Sequence, residues 1–315
     1  MILKKYFLIF ALLISYSSAQ EKNLTSAYDF LKLESSSRAA SLGGSFVTFI
    51  NDPNTIFYNP ASISYSEGKQ ASFGFLKHLL DVNSLYASYT QQLDMLDGYV
   101  GAGIQYMGYG DFDQMDEAGN LIGSFSVKDI ALLLSYARKS EDNFSYGANI
   151  KLIYSSIENY SSVGLGFDVG VLYRIPDQMI NIGGCISNMG TQLSTYNGTR
   201  ESFPLEMKVG ISKTLEHLPL NININFHNLL DSYSNLFDRL KAFSIGGEFT
   251  LSKNLKFRVG YNNSRRTNST IESSSGLAGF SLGLGLNIEK YIFDYSFSSY
   301  GKIGGLHRIN LSTNF

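Results

Sequence analysis

An all-β fold, a transmembrane barrel of about 14 antiparallel strands closed around an N-terminal plug, is what this 315-residue chain predicts. Three observations point to it. Short segments alternate apolar and polar residues at every position, connections between them sort into tight and long by parity, and the chain ends on an aromatic residue.

The chain opens with the pattern of a secretory leader over Met1–Ala19. Lys4 and Lys5 give it a positive start, Tyr6 to Ile14 an apolar core, and Ser17-Ser18-Ala19 a small-residue cleavage site. The apolar run is shorter than the roughly 20 residues that cross a bilayer as a helix. No cysteine follows the cleavage site, so a lipid-anchored N-terminus is not expected. The mature chain is expected to leave the cytoplasm.

Residues 20–66 form the expected plug, and the stretch from Tyr28 to Tyr65 differs from everything after it. A short helical pattern from Ser35 to Leu42 runs into Gly43-Gly44, as a helix stop does. Asp52 stands where an N-cap belongs, with Pro53 at the first helical position. Asn59-Pro60-Ala61 is expected to close the segment with a turn, because the residue before proline is pushed out of the helical region. A small lid packed outside the barrel is the alternative placement.

The barrel proper is expected over 67–315. Leu220-Asn221-Ile222-Asn223-Ile224-Asn225-Phe226 puts every Ile on one face of a strand and every Asn on the other. Phe280 to Ile288 repeats the pattern, as do Leu165, Phe167, Val169, Val171 and Tyr173. In Tyr291, Phe293, Tyr295 and Phe297 the apolar face is aromatic. Strands are expected to begin near residues 70, 83, 99, 126, 143, 162, 178, 203, 218, 240, 254, 276, 290 and 305. Tight connections include Lys139–Asn143, Ile175–Gln178, Ser252–Asn254 and Ile288–Lys290. Long ones include Gly110–Phe125, Met189–Ser202, Leu229–Arg239 and Asn262–Ser275. A soluble sandwich alternates too, but it has no reason to sort its loops by parity, whereas outer-membrane barrels have short periplasmic turns and long external loops. With the N-terminus periplasmic, every long loop falls outside. The last strand carries Ile309, Leu311 and Phe315 on one face, a pattern that outer-membrane assembly machinery reads.

Composition agrees. Without Lys4 and Lys5 the chain has 23 basic against 27 acidic residues, a net charge near −4, so nucleic acid is not an expected partner. The chain has 21 Tyr and 22 Phe yet near-neutral mean hydropathy, as lipid-facing and lumen-facing residues alternate. The single Cys185 permits no internal disulfide and reads as a small filler within a strand. Membrane lipids and the assembly machinery are the partners this class implies.

At about 14 strands the lumen is too wide to fill from the wall, so something must occupy it. The expected inward set carries both signs: Lys151, Lys208, Lys256, Arg258 and Arg308 against Asp168, Glu206, Glu248 and Asp294. This balance points to internal pairing and bonds to the plug, with no ring of one sign to select ions. Catalytic chemistry is not evident. His78, His217, His227 and His307 are scattered without metal-ligand spacing, and no GxSxG or HExxH occurs. The acidic run Asp111, Asp113, Asp116 and Glu117 lacks EF-hand spacing and reads as a solvated hairpin loop. No enzyme, cofactor or metal is expected.

The block SAYDFLKLESSSRAASLGGSFVTFINDPNTIFYNPASIS resembles the start of the PorV/PorQ outer-membrane proteins of the Bacteroidetes type IX secretion system. The resemblance continues through residues 106–139 and 153–173 and ends with 292–315, and is nearer the PorQ branch. These proteins are related to FadL-type fatty-acid transporters, which share the Asn59-Pro60-Ala61 turn. The resemblance implies a 14-stranded FadL-like barrel with an N-terminal hatch. For function it implies a non-catalytic anchor or receptor for cargo, or for surface or periplasmic proteins of the secretion system. The alternative is a FadL-like transporter of hydrophobic small molecules. A transporter wants an apolar pocket beside the hatch and a break in the wall, whereas a scaffold wants a sealed lumen. Inward positions rich in Gly, Ser, Asn and paired charges lean towards the scaffold.

Overall fold

The computed structural model describes residues 26–78, 80–140, 143–233, 235–269 and 276–315. The leader expected at 1–19 lies outside them. Fourteen antiparallel strands follow one another around a closed barrel. They are β1 (Gln70–Lys77), β2 (Asn83–Leu93), β3 (Gly98–Met115), β4 (Leu121–Lys139), β5 (Phe144–Ile157), β6 (Tyr160–Ile175) and β7 (Ile180–Ser194). The second half comprises β8 (Glu206–Thr214), β9 (Leu220–Phe226), β10 (Phe243–Thr250), β11 (Leu255–Asn262), β12 (Phe280–Ile288), β13 (Tyr291–Ser299) and β14 (Gly305–Asn314). Each strand starts within five residues of its expected position.

The wall closes where β14 pairs with β1, from Gln70↔Asn314 to Lys77↔His307. Phe315 extends that seam: its N–H donates to the Lys69 carbonyl (2.9 Å), and Lys69 N–H donates back to the Phe315 carbonyl (3.2 Å). Closure leaves no strand edge within the wall, as a bilayer requires.

Exposure is inverted relative to a water-soluble protein. Ile309 is 57% exposed and Leu282 49%, while Arg308 and Ser296 are fully buried. Phe73, Leu311, Phe293 and Leu286 stand in register across four adjacent strands, forming one stripe of the apolar outer face. Polar inside and apolar outside is the pattern of a barrel solvated by lipid.

All the long connections lie at one end and both ends of the barrel chain lie at the other. The longest, 263–279, 227–242 and 195–205, follow β11, β9 and β7. Gly110–Phe125, expected as a long loop, is instead mostly paired strand, because Phe112 stacks on Phe125 across it (5.5 Å between centroids) and Asp116 caps a tight turn. The Asp116 carboxylate accepts from Ala118 N (2.9 Å) and Asn120 N (2.8 Å). Likewise β7 runs on to Ser194, shortening the loop expected from Met189. The wall is lopsided as a result: β3 to β7 have 14 to 19 residues, whereas β8 to β13 have seven to nine.

Lysine at Ile309 and Leu311 should each cost about 2–4 kcal/mol if these positions sit near the bilayer midplane. The double variant should accumulate without the heat-modifiable gel mobility of a folded barrel. A normal folded band would be incompatible with lipid contact at this face.

Candidate functional site

The lumen is occupied by residues 26–66, and every turn of that segment is set by a local signal. Ser36 caps the helix Ser37–Ser41, its hydroxyl accepting from Ala39 N (3.3 Å). Gly43 and Gly44, both at positive φ, end the helix by donating to the Ala40 and Ala39 carbonyls (3.1 and 2.9 Å). Asp52 accepts from Asn54 N (2.9 Å) and opens a 3₁₀ turn over Pro53–Phe57. Asn59 does more than close the segment: its Oδ1 accepts from Ala61 N (3.1 Å) and starts a further 3₁₀ turn, Pro60–Tyr65. The Asn59 amide also donates to the Val47 carbonyl (2.9 Å) within the plug and to the Val171 carbonyl (3.1 Å) of the wall. One side chain therefore shapes the turn and ties it to β6.

Wall glycines make room for this backbone. A Cβ at Gly147 would stand 2.7 Å from the Pro60 carbonyl carbon, and one at Gly183 2.9 Å from the Val47 oxygen. At Gly260 it would collide with the backbone of Leu42 and Gly43. Gly246 likewise faces Leu42, while Gly170 and Gly283 make room for the side chains of Asn59 and Ser41. Gly43 needs the approach from its own side too, since its Cβ would lie 2.8 Å from the Tyr261 carbonyl oxygen.

Ion pairs latch the plug at two levels. Towards the end where the chain termini lie, Arg38 forks onto Glu248 through two bonds of 2.8 Å and also reaches Asp52 (3.2 Å). Arg258 bridges Glu248 (2.6 Å) and Asp294 (2.5 Å), with Lys256 3.6 Å from Glu248. Towards the long-loop end, Glu34 meets Arg265 of the 263–268 helix (2.5 Å) and Arg308 of β14 (3.3 Å). Lys151–Asp168 and Lys208–Glu206, each 2.8 Å apart, complete the inward set expected from the sequence. All nine of those residues are paired. Burial opposes ionisation of Glu34, yet the two guanidinium groups hold its carboxyl down to about 2.

A cavity of about 250 Å³ lies above the plug, lined by Lys32, Glu34, Tyr58, Lys208, His227 and Arg265 among others. Burial pushes His227 down to about 4, leaving a neutral ring whose Nε2 lies 3.1 Å from Ser264 Oγ. Beneath the rim on the β3–β6 side the lining changes character. Phe30 and Leu31 of the plug pack there against Met107, Ala131, Leu133 and Ile153. Among the described residues no three His, Cys, Asp or Glu side chains converge as metal ligands would.

Of the residues expected to shape the plug, Gly43, Gly44, Asp52, Asn59, Pro60 and Ala61 all lie inside the barrel, whereas Ile309, Leu311 and Phe315 lie on its outer seam. Glu34 and Arg265 escape sequence reasoning, because the first sits among unremarkable polar residues and the second in a loop 231 positions away. The glycines carried a readable signal, since each falls at lumen-facing parity on its strand.

No family model matches the chain, and no curated protein matches it. Solved structures do. A deletion mutant of the TodX monoaromatic hydrocarbon channel aligns over 89% of this chain and 98% of its own, at 13% identity and a TM-score of 0.59. A Pseudomonas aeruginosa FadL homologue aligns over 89% and 98%, at 12% identity and a TM-score of 0.58. The CymD monoaromatic hydrocarbon channel aligns over 88% and 96%, at 13% identity and a TM-score of 0.55. The fold is FadL-like. At these identities the likeness is one of architecture, and the FadL-like barrel here is described by its own side chains.

In this FadL-like barrel, Gly260→Ala should drive the wall into the plug backbone, an overpacking cost of about 1–3 kcal/mol. Residues 26–66 should become protease-sensitive while the barrel keeps its heat-modifiable mobility. Unchanged protection would mean the close approach does not exist.

Acid should loosen the plug in two stages. Burial holds His78 and His227 at about 4, below their ordinary 6.5, so the released state takes up protons first and hold weakens below about pH 6.5. Glu34 contributes fully above 4.5, and its contribution fades as pH falls through about 2. Hydrogen exchange of residues 34–42, corrected for intrinsic rates, should rise in both windows. In Glu34→Gln only the upper stage should remain.

Proposed function

We propose that this protein is an outer-membrane barrel admitting small hydrophobic molecules, with residues 26–66 as its hatch and the long loops outside. One observation carries the reading. The first turn of the hatch fills an apolar wall patch with Phe30 and Leu31, and Phe57 and Phe203 border it. That turn is held lightly: Ala27 N donates to the Ser202 carbonyl (3.0 Å) and the Tyr28 hydroxyl lies 2.5 Å from Ser162 Oγ. Among the described residues no ion pair joins 26–33 to the wall. A hydrophobic guest replacing Phe30 and Leu31 would regain the apolar contacts they give up. The FadL-like fold, shared with the TodX and CymD monoaromatic hydrocarbon channels, supports this reading.

A second reading is a plugged anchor for surface proteins of a type IX secretion system, which the PorV/PorQ-like sequence pattern implies. The pairing of all nine expected lumen charges favours it, since a sealed and rigid lumen suits an anchor. Titration of the nanodisc-embedded protein with toluene or oleate separates the two. Uptake predicts a saturable rise in hydrogen exchange confined to residues 26–33. No shift with either compound, together with loss of surface-protein attachment in a deletion strain, would replace uptake with the anchor.

A further inference from the structure

β3 outruns its neighbour. Pairing with β2 stops at Asn83↔Gly108, while pairing with β4 continues from Asp111↔Ser126 to Met115↔Leu121. Among the described residues, no backbone hydrogen bond joins Tyr109–Met115 to anything on the β2 side. Asp81 packs beside Gly110, so the open run of strand edge above the barrel rim is Asp111–Met115, about 15 Å long at roughly 3.3 Å per residue.

Side-chain placement says that this edge stands in water. The register shift between Gly108 and Asp111 reverses the parity of β3. Asp111 and Asp113 then pair with Ser126 and Ser124, in the outward row where lower residues meet lipid. Four small or acidic polar residues do not face hydrocarbon. Phe112 and Phe125 join the lumen-side row that continues to Asp129, and they stay half exposed above the mouth. A lone two-stranded ribbon is marginal in water and gains from a third strand.

We propose that the Asp111–Met115 edge is a docking site for an extended strand of a partner protein that carries lysine or arginine at alternating positions. Backbone pairing would supply the hold and charge the selection. Asp111, Asp113, Asp116 and Glu117 lie along the edge or at its tip, and among the described residues none of them has an ion-pair partner. Asp81 adds a fifth acid at the base, beside Gly110. The same acids oppose a second copy of this chain, because antiparallel self-pairing would set carboxylate against carboxylate. The site is separate from the lumen, and its use does not depend on whether the hatch moves.

The test uses the full-length protein in lipid nanodiscs and fluorescent eight-residue peptides. A peptide alternating Lys and Val should bind at least tenfold more tightly than one alternating Glu and Val. A Lys-Val peptide with interspersed prolines, equal in charge but unable to pair its backbone, should lose binding by a similar factor. Binding should protect the amides of residues 111–115 from exchange. In the D111K/D113K variant, whose barrel should keep its heat-modifiable mobility, the Glu-Val peptide should become the tighter ligand. Equal binding of both charge types, full binding by the proline peptide, or protection elsewhere would overturn the proposal. So would a dimer of the Gln114→Cys variant cross-linked through that cysteine, which would assign the edge to a second copy.

Discussion

A ring of fourteen strands encloses more space than wall side chains can fill, and the rest of this structure follows from that surplus. The chain answers with its own residues 26–66. Their backbone buries polar N–H and C=O groups inside the wall, so those groups need partners. Caps satisfy some, at Ser36, Asp52 and Asn59. Wall side chains satisfy others, as Asn149 does for the Ile56 carbonyl and Asn262 for the Gly43 carbonyl.

Paired charge does a different job from apolar packing here. Desolvating an ion pair costs about as much as its attraction returns, so pairs of this kind are weak sources of net stability. Their strength lies in what a wrong arrangement costs. Moving Arg38 away would strand Asp52 and leave Glu248 to Arg258 and Lys256 alone, and moving Glu34 would strand Arg265 and Arg308. Register and orientation of the plug are fixed by that penalty. Among the described residues the first turn, seated by Phe30 and Leu31, has no ion pair to the wall and is held by packing and hydrogen bonds instead.

Much of this was legible in the sequence for a simple reason. Strand alternation is a local property, so Leu220 to Phe226 or Phe280 to Ile288 declare both their fold and their faces without knowledge of any partner. The caps at Asp52 and Gly43-Gly44 are local as well. The error at Gly110–Phe125 came from treating polar and glycine-rich residues as loop, when cross-strand stacking of Phe112 on Phe125 extends the sheet. Glu34 and Arg265 were illegible because their meaning arises only once the barrel brings distant residues together. The apolar seat of Phe30 was hidden too, since Leu133 and Ile153 face inwards on strands whose outward faces are equally apolar.

The uneven wall has a consequence for the lipid around it. A strand needs about 9–11 residues, tilted, to cross the hydrocarbon core. β3 to β7 exceed that comfortably, but β9 has seven residues and β10 and β11 have eight each. On that side the hydrophobic height falls short, and the mismatch must be absorbed by tilting the barrel or thinning the bilayer locally. Where the bilayer thins, the two leaflets are drawn together along one arc of the circumference, and the protein acts on its membrane as a directional dent.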